Sequence, residues 1–526
     1  MSVKQVASGS EVDERFAALL TNANAVRAIA SAVEGTIGSK GLDTMLVDRY
    51  GEVVITNDGI TILTKMEVNH PAARMVINTA RAQEEEVGDG TTTATIMAGA
   101  LLTEGVNQAL RGVPVTRIIE GVRKGIRQAI EAMEARSRPV KGADDPILRQ
   151  VALVAGREHD DIADLTVKAA SMVGEEKLRE PSFKLADCIV AQEGAENEVF
   201  MGLIIDREPL NDAMPRKLED VRVLIIDDDL EPEEIEEEAL STEAGFARYL
   251  EIKEEFKKGL QKVIDLGVNL ILVDGGVSDD AEEILTDAGV LVMPRVSGAQ
   301  LKRAAEHTGA RMLKRTGLKK RKKDLEGYIG RADEAYVDEK LEHLRLVGGR
   351  GKPMATMLVG ASTEEVVDER ERIAKDAAAA VQAAVRGGVV PGGGAIEIAV
   401  ARDIESARAG MRGMAAYGLD CVLEALKKPL GQIVSNAGFN PLEKVGDVMA
   451  AQAEGDSDSL AIDCDTGEIA DMMSMGVVDP TLVKVHALKA AGEIAEAILR
   501  IDTIIKKKDE GGDPAATEDP LEEMDF

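Results

Sequence analysis

The sequence predicts a multidomain protein of α and α/β type, with a helical unit built from both chain ends and an α/β unit inserted between them. Three observations predict it. The chain has 526 residues, too many for one hydrophobic core, so about three domains are expected. The first and last thirds carry helical apolar spacing together with glycine–carboxylate motifs. The middle carries short apolar runs of strand length separated by helical stretches, and none of those motifs.

Along the chain, residues 15–35 read as a helix, with apolar positions at Phe16, Leu19, Leu20, Val26, Ile29 and Val33. Met45 to Ile55 alternates as a hairpin about Tyr50-Gly51. His70-Pro71 opens a second helix up to Glu86, with proline in its first turn. A third begins at Thr91, so Gly88-Asp89-Gly90 stands just before a helix N-terminus, where free N–H groups and the helix dipole favour an anion. A further helix runs to about Ser137, and Arg138-Pro139 ends it. Composition shifts near Gly142-Ala143-Asp144-Asp145-Pro146, and helix-like segments follow to about Ala170. The apolar runs 198–205, 221–226 and 269–273 read as strands. After Val347–Gly351 a strand at Ala355–Val359 leads to a long helix, Glu364–Arg386. Helices return from Ala395 to Asn436 and from Pro480 to Lys508. The tail from Asp509, acidic with Pro and Gly, reads as disordered.

Composition narrows the function. Lys and Arg total 63 against 95 Asp and Glu, a net charge of −32, which repels nucleic acid phosphates. Aromatics are 2% of the chain and Trp is absent, so the cores are built from Ala, Val, Ile, Leu and Met. Cys188, Cys421 and Cys464 are far apart, with no CxxC or Cys/His cluster, and read as reduced structural thiols. The five histidines are scattered and suggest no zinc site. The N-terminal MSVKQVASGS lacks the apolar stretch of a signal peptide, and no apolar run reaches membrane-spanning length. A soluble cytoplasmic protein is the expectation.

Two short signatures carry the chemistry. One is Gly88-Asp89-Gly90-Thr91-Thr92-Thr93, introduced by Glu84-Glu85-Glu86-Val87; the other is Ile55-Thr56-Asn57-Asp58-Gly59. Glycines let backbone N–H groups approach a phosphate, and threonine hydroxyls donate to it. Carboxylates repel phosphate unless Mg²⁺ lies between them. The pair therefore reads as a loop-built nucleotide site with a bridging metal. Gly38-Ser39-Lys40-Gly41 is not a Walker A end, because its order is Ser-Lys-Gly.

Thr36-Ile37-Gly38-Ser39-Lys40-Gly41-Leu42-Asp43 and the two signatures above are followed by Gly388-Val389-Val390-Pro391-Gly392-Gly393-Gly394-Ala395 and Val478-Asp479-Pro480-Thr481-Leu482-Val483-Lys484. These motifs occur in the order and spacing of the chaperonins, and the chain resembles that family from about residue 15 to about residue 508. Asn57, His70-Pro71-Ala72-Ala73 and Leu499-Arg500-Ile501-Asp502 resemble the archaeal and eukaryotic-cytosolic branch, group II, whose archaeal members are thermosomes. The resemblance implies a helical equatorial ATP-binding domain from 1–143 and 393–526 and a small intermediate hinge domain from 144–202 and 355–392. It also implies an α/β apical domain over 203–354 with a helical lid protrusion near 236–264.

The resemblance also assigns roles. Asp376, inside the long helix, would orient the attacking water, and Asp58, otherwise an ordinary turn residue, would act on the phosphate side. Asp89, which could equally cap a helix, would hold Mg²⁺. Thr36, Ile37, Gly38, Ser39, Asn57, Gly59, Gly88, Gly90, Thr91, Thr92, Thr93 and Arg157 would bind the nucleotide. Gly393 would lie against it, Asp479 on the ribose and Asp463 on the adenine side. Ser39, Thr44 and Arg157 depart from the usual proline, lysine and lysine, a pattern that fits a bacterial relative of the branch. Phe246, Tyr249, Leu250 and Phe256, in a chain with 12 aromatics (7 Phe plus 5 Tyr), form a helical stripe, either a core face or the client-binding face of the lid. The run Lys314–Lys323 has seven basic residues in ten and is expected to meet acidic neighbours rather than nucleic acid.

The implied function is ATP-dependent protein folding, with ATP, Mg²⁺ and K⁺ as cofactors and unfolded proteins as clients. The implied assembly is a homo-oligomeric double ring of roughly eight subunits per ring. No membrane, nucleic acid or separate lid co-chaperonin is implied. The rival reading is a ring ATPase acting as a holdase or scaffold without productive folding.

Overall fold

The order in which the chain visits three large hydrophobic cores gives the architecture of the computed structural model, which describes residues 10–12, 15–47, 49–51, 53–233 and 242–507. The first core joins residues between Leu19 and Met133 to residues between Val390 and Leu499. The second lies between Leu203 and Leu346. The third combines Val140–Val199 with Met357–Val389 and Val478. A middle unit is thus inserted into a unit made by both chain ends, with a connecting unit crossed twice.

The first pass through the end-built unit comprises β1 (Ser10–Val12), α1 (Arg15–Val33), β2 (Thr44–Val47), β3 (Val53–Thr56), α2 (Gly59–Lys65), α3 (Pro71–Val87), α4 (Thr91–Leu110) and α5 (Val115–Ala135). Pro71 stands in the first turn of α3, and the His70 ring accepts from the Ala72 N–H at 3.2 Å. β2 and β3 are the expected hairpin, pairing antiparallel with Met45 opposite Ile55.

The first crossing contains α6 (Ile147–Ala155), α7 (Asp160–Val173), α8 (Glu175–Leu178) and β4 (Ile189–Glu193). The middle unit holds β5 (Glu198–Ile205), β6 (Lys217–Ile226), α9 (Glu243–Asp265), β7 (Leu270–Val273), α10 (Asp279–Asp287), β8 (Leu291–Met293), α11 (Gly298–Thr308), α12 (Lys322–Glu326), β9 (Gly330–Asp338) and β10 (His343–Val347). The return crossing is β11 (Ala355–Ala361) and α13 (Glu364–Gly387). One mixed sheet, in the order β4-β11-β5-β10-β9-β6-β7-β8, runs from the connecting unit into the middle one. Its β6, β7 and β8 pair in parallel over Val223–Ile226, Leu270–Val273 and Leu291–Met293, and these apolar runs are buried on both faces.

The second pass contains β12 (Val389–Pro391), α14 (Ala395–Gly410), α15 (Ala416–Asn436), α16 (Pro441–Gly455), β13 (Leu460–Ile462), β14 (Ile469–Asp471), β15 (Val478–Pro480), α17 (Thr481–Leu499) and β16 (Ile505–Lys507). β1 pairs with β16, tying the two chain ends together, and β12 pairs with β15 within the second pass.

The structure corrects several expectations. The helix expected from Pro480 to Lys508 ends at Leu499, and β16 follows. The helices expected over 395–436 are two, α14 and α15, separated near Gly413, whose φ is +91°. The short helix α2 was not anticipated. Of the proposed lid span, residues 236–241 lie outside the described residues, as does the tail from 508. The rest of that span is the single helix α9, and its two halves differ. Phe246 and Leu250 are 53% and 49% exposed, whereas Phe256, Leu260 and Val263 are core residues. Phe256 is therefore a packing residue here and not part of an exposed client-binding face. The basic run does meet acids: Lys314 pairs with Asp227 (3.3 Å), Arg315 with Glu231 (2.8 Å) and Lys319 with Glu233 (2.9 Å).

Candidate nucleotide site

The N-terminus of α4 is the centre of the site. Gly90 precedes it with φ +81°, and no side chain caps it, so its first N–H groups and the hydroxyls of Thr91, Thr92 and Thr93 remain for an anion. Asp89 does not cap the helix; its carboxylate accepts from the Gly90 N–H. The Gln83 amide fixes the loop by donating to the Asp89 carbonyl at 2.8 Å. Gly88 is left-handed (φ +68°) and sits so close to α13 that an added Cβ would lie 2.5 Å from the Ala379 methyl. Glycine is required there both for the turn and for the approach of α13.

The second signature packs beside the first. A Cβ on Gly59 would lie 2.2 Å from the Thr92 hydroxyl. Asp58 caps α2, accepting from the Thr61 N–H (3.1 Å) and hydroxyl (2.5 Å), so the turn reading and the phosphate-side position coexist. The buried Asn57 Oδ1 has no partner, a polar atom aimed where a ligand donor or water would satisfy it.

Asp376 and Arg157 come from the connecting unit. Arg157 Nη2 lies 3.5 Å from Asp376 Oδ2, and Arg157 Nη1 lies 2.5 Å from Glu369. Burial raises the Asp376 carboxyl well above its ordinary range, and the Asp89 and Asp58 carboxylates add to that while Arg157 opposes it. Burial likewise lifts Asp89 to about 6, with Asp479 adding to the rise and the Gly90 N–H and Lys484 opposing it. Glu84 rises to about 7, through burial and then Asp58 and Asp89. Four carboxylates thus share one poorly neutralised region. No salt-bridge cation contacts Asp89 among the described residues, and no three acidic, His or Cys side chains converge to hold a metal alone. A divalent cation fits at Asp89 if phosphate oxygens or water complete its coordination.

The end at which the resemblance places a ribose is built on β12 and β15. Val390 pairs with Asp479, and a Cβ on Gly392 would meet the Asp479 carboxylate at 3.1 Å. Gly393 is left-handed (φ +61°) against Met472. Lys484 holds Asp479 at 2.7 Å and the fully buried Glu397 at 2.9 Å. Burial alone would lower the Lys484 pKa, but the two carboxylates raise it, so it stays charged. At the far end, the Asn436 amide donates to the carbonyls of Glu34 and Ile37 (both 2.9 Å), fixing the segment, a 3-10 turn at Glu34–Thr36 and then irregular, that leads through Gly38 and Ser39. Lys40 pairs with Asp465 (2.5 Å), bringing that segment to the turn organised by Asp463, which accepts from the Asp465 N–H (2.9 Å).

Asp58, Gly59, Asp89, Thr92, Arg157 and Asp376 come together at the start of α4, Gly393 follows β12 and Asp479 lies on β15, and Lys40–Asp465 brings Thr36–Ser39 to Asp463, whereas Phe246, Tyr249, Leu250 and Phe256 stand apart on α9. Sequence reading missed Glu84, Gln83, Glu369, Arg372, Glu397, Lys484 and Asn436 as site residues. Glu84 and Lys484 lay inside the quoted motifs; the others had no local signal.

The model of the TCP-1/cpn60 chaperonin family matches residues 29–509. The chain belongs to this family. It is 34% identical to the thermosome subunit beta of Archaeoglobus fulgidus over 521 residues, 95% of each chain. It is also 34% identical to the thermosome subunit of Pyrococcus horikoshii, over 92% of this chain and 90% of that one. A solved structure described as a group III chaperonin in the open state superposes with TM-score 0.87 and 48% identity, covering 93% of this chain and 99% of the other. This chaperonin is an ATPase whose function is ATP-dependent protein folding, and its family forms double-ring oligomers that bind unfolded clients. Among the described residues no helix is long and apolar enough to cross a membrane.

Proposed function

We propose that this chaperonin subunit hydrolyses ATP at the N-terminus of α4, with Asp376 orienting the attacking water and Asp58 acting on the phosphate side. The carrying observation is that Asp58, Asp89 and Asp376, from three separate chain segments, act on one another at an uncapped helix N-terminus with Arg157 beside them. Thr91, Thr92, Thr93 and Asn57 donate to the phosphates, Asp479 binds the ribose, and the Thr36–Ser39 segment with Asp463 borders the base. Asp89 holds Mg²⁺, which neutralises phosphate charge when bound, and K⁺ is a companion ion. Burial makes the Asp376 carboxyl hold a proton more readily than an ordinary aspartate, which suits the group that takes the proton of the attacking water.

The three cores support a domain division 1–143 with 393–526, 144–202 with 355–392, and 203–354, although Val140, Ala143 and Val478 pack in the connecting core and Val390 in the end-built one. The exposed half of α9, with Phe246, Tyr249 and Leu250, is the proposed client-contacting part of a built-in lid that needs no separate co-chaperonin. The hairpin β2–β3 exposes Met45, Val47, Val53 and Ile55 by half or more, an apolar strand pair suited to joining subunits in rings of roughly eight. The free cysteines and acidic charge fit a cytoplasmic setting.

The test is Asp376→Ala. ATP binding is retained while turnover falls on the order of 10²-fold or more, because the water-orienting group stands apart from the phosphate-binding loops. Near-normal single-turnover hydrolysis removes Asp376 from the reaction.

A further inference from the structure

Helix α13 turns one face toward the nucleotide loops. Glu369, Arg372, Asp376 and Ala379 recur along it at helical spacing, and each has a described contact there. Arg372 reaches the hydroxyls of Thr56 (3.4 Å) and Thr61 (3.3 Å), the second of which donates to Asp58. Glu369 stands between two guanidinium groups: its Oε1 is 2.5 Å from Arg157 Nη1 and its Oε2 is 3.2 Å from Arg372 Nη2. All three side chains are less than a third exposed, so these pairings are only partly screened by solvent.

The backbone under Arg157 adds a second observation. Arg157 and Glu158 both take left-handed conformations, φ +52° and +63°, in the turn between α6 and α7. Consecutive non-glycine residues adopt this only where surrounding contacts hold them. The pair with Glu369 is the contact that holds Arg157 toward α13. A planar guanidinium beside the water-orienting aspartate is a natural partner for a terminal phosphate, and a carboxylate already bonded to it must be displaced first.

We propose that Glu369 is a positioning residue that competes with the terminal phosphate of ATP for Arg157, and so limits how strongly the site prefers a triphosphate over a diphosphate. This rests on the nucleotide-site reading above. When the triphosphate takes Arg157, Glu369 keeps its second partner, Arg372, so α13 stays tethered to the Asp58 loop. A diphosphate, lacking the terminal group, leaves the Arg157–Glu369 pair intact.

The experiment measures equilibrium affinities of the assembled full-length chain for ADP and for a non-hydrolysable ATP analogue, both with Mg²⁺. Glu369→Gln is expected to raise analogue affinity roughly three- to tenfold and leave ADP affinity within about twofold. In an Arg157→Gln background the same substitution is expected to have no effect on the ratio. A purely structural role for Glu369 shifts both nucleotides together, and a bulk-charge effect persists without Arg157; either result overturns the proposal. Should Glu369→Gln not assemble, Glu369→Asp, one methylene shorter, carries the test, and an unchanged ratio there also overturns it. If the wild-type chain binds neither nucleotide, the site reading itself fails.

Discussion

Lys484→Met exposes how much the proposed ribose end depends on one buried cation. Lys484 lies in the first turn of α17, where the helix dipole disfavours a positive charge, and its side chain is 11% exposed. It is held there by Glu397, 0% exposed, and Asp479, 20% exposed. Methionine matches much of its volume but removes the charge. Glu397 is then a carboxylate with no counter-ion in the unit built by both chain ends. Removing one partner of a buried pair typically costs about 3–5 kcal/mol. For a domain of this size that corresponds to a fall of roughly 6–20 °C in melting temperature. The second perturbation separates stability from function. Lys484→Met combined with Glu397→Leu removes both buried charges and leaves an apolar contact, so most of the lost stability returns. Asp479 remains without its lysine in both variants, so nucleotide affinity stays reduced even where melting recovers. Calorimetric melting of the assembled protein, alongside ADP binding, reads the two effects. A fall under about 1 kcal/mol for the single variant, or a double variant no more stable than the single, would refute the reasoning.

Two further outcomes follow from the same geometry. Because the Asp89 carboxyl is raised to about 6 in the folded protein, the nucleotide-free fold binds its proton more tightly than the unfolded chain does. Its contribution to stability is therefore fully present below the unfolded value of 3.8 and lost as pH rises through 6. Asp89→Asn is expected to lie close to wild type near pH 4 and exceed it by about 3 kcal/mol at pH 8 in thermal melts without nucleotide, and wild type that keeps pace at pH 8 contradicts the burial argument. On α9, Phe256→Ala is expected to destabilise the middle unit by about 3–4 kcal/mol, whereas Phe246→Ser with Leu250→Ser leaves melting unchanged and weakens suppression of client aggregation. Equal melting losses for both would show that the exposed half is also structural.

What the sequence revealed and what it hid divide along contact range. Gly88 and Gly90 were legible because one of their reasons is local, a left-handed turn in which glycine is the residue that fits; the closeness of Thr92 to Gly59 and of Ala379 to Gly88 is not local. The hairpin β2–β3 and the starts of α3 and α4 were legible for the same reason. Helix α2 was not, because it is one short helix whose N-cap, Asp58, looks the same in an isolated turn. The stripe on α9 misled because periodicity reports a shared face and not how far along the helix that face stays covered; burial ends between Leu250 and Ile252. The polar scaffold was hidden most completely. Gln83 reaches across 400 positions to the Val483 carbonyl, and Asn436 across 402 to that of Glu34. In each case a common polar residue acquires its role only when folding brings a distant backbone carbonyl within reach.

The same logic explains why Asp376 was found and Glu369 was not, although they lie on one face of α13. Asp376 is tied by the family resemblance to the glycine run that follows it. Glu369 stands two helical turns earlier, in a stretch of charged residues that reads as solvated surface. Its place in the site depends on the left-handed conformation of Arg157, and the glycine of that turn, Gly156 (φ −82°), is not the residue that takes it. Where an L-residue occupies a conformation that favours glycine, the sequence gives no warning, and only the contact that holds it marks the position. An arginine at 157 increases that dependence. Its planar fork offers parallel donors in a fixed orientation, so it engages Glu369 with one nitrogen while the other faces Asp376, which a lysine ammonium does not do with the same geometry.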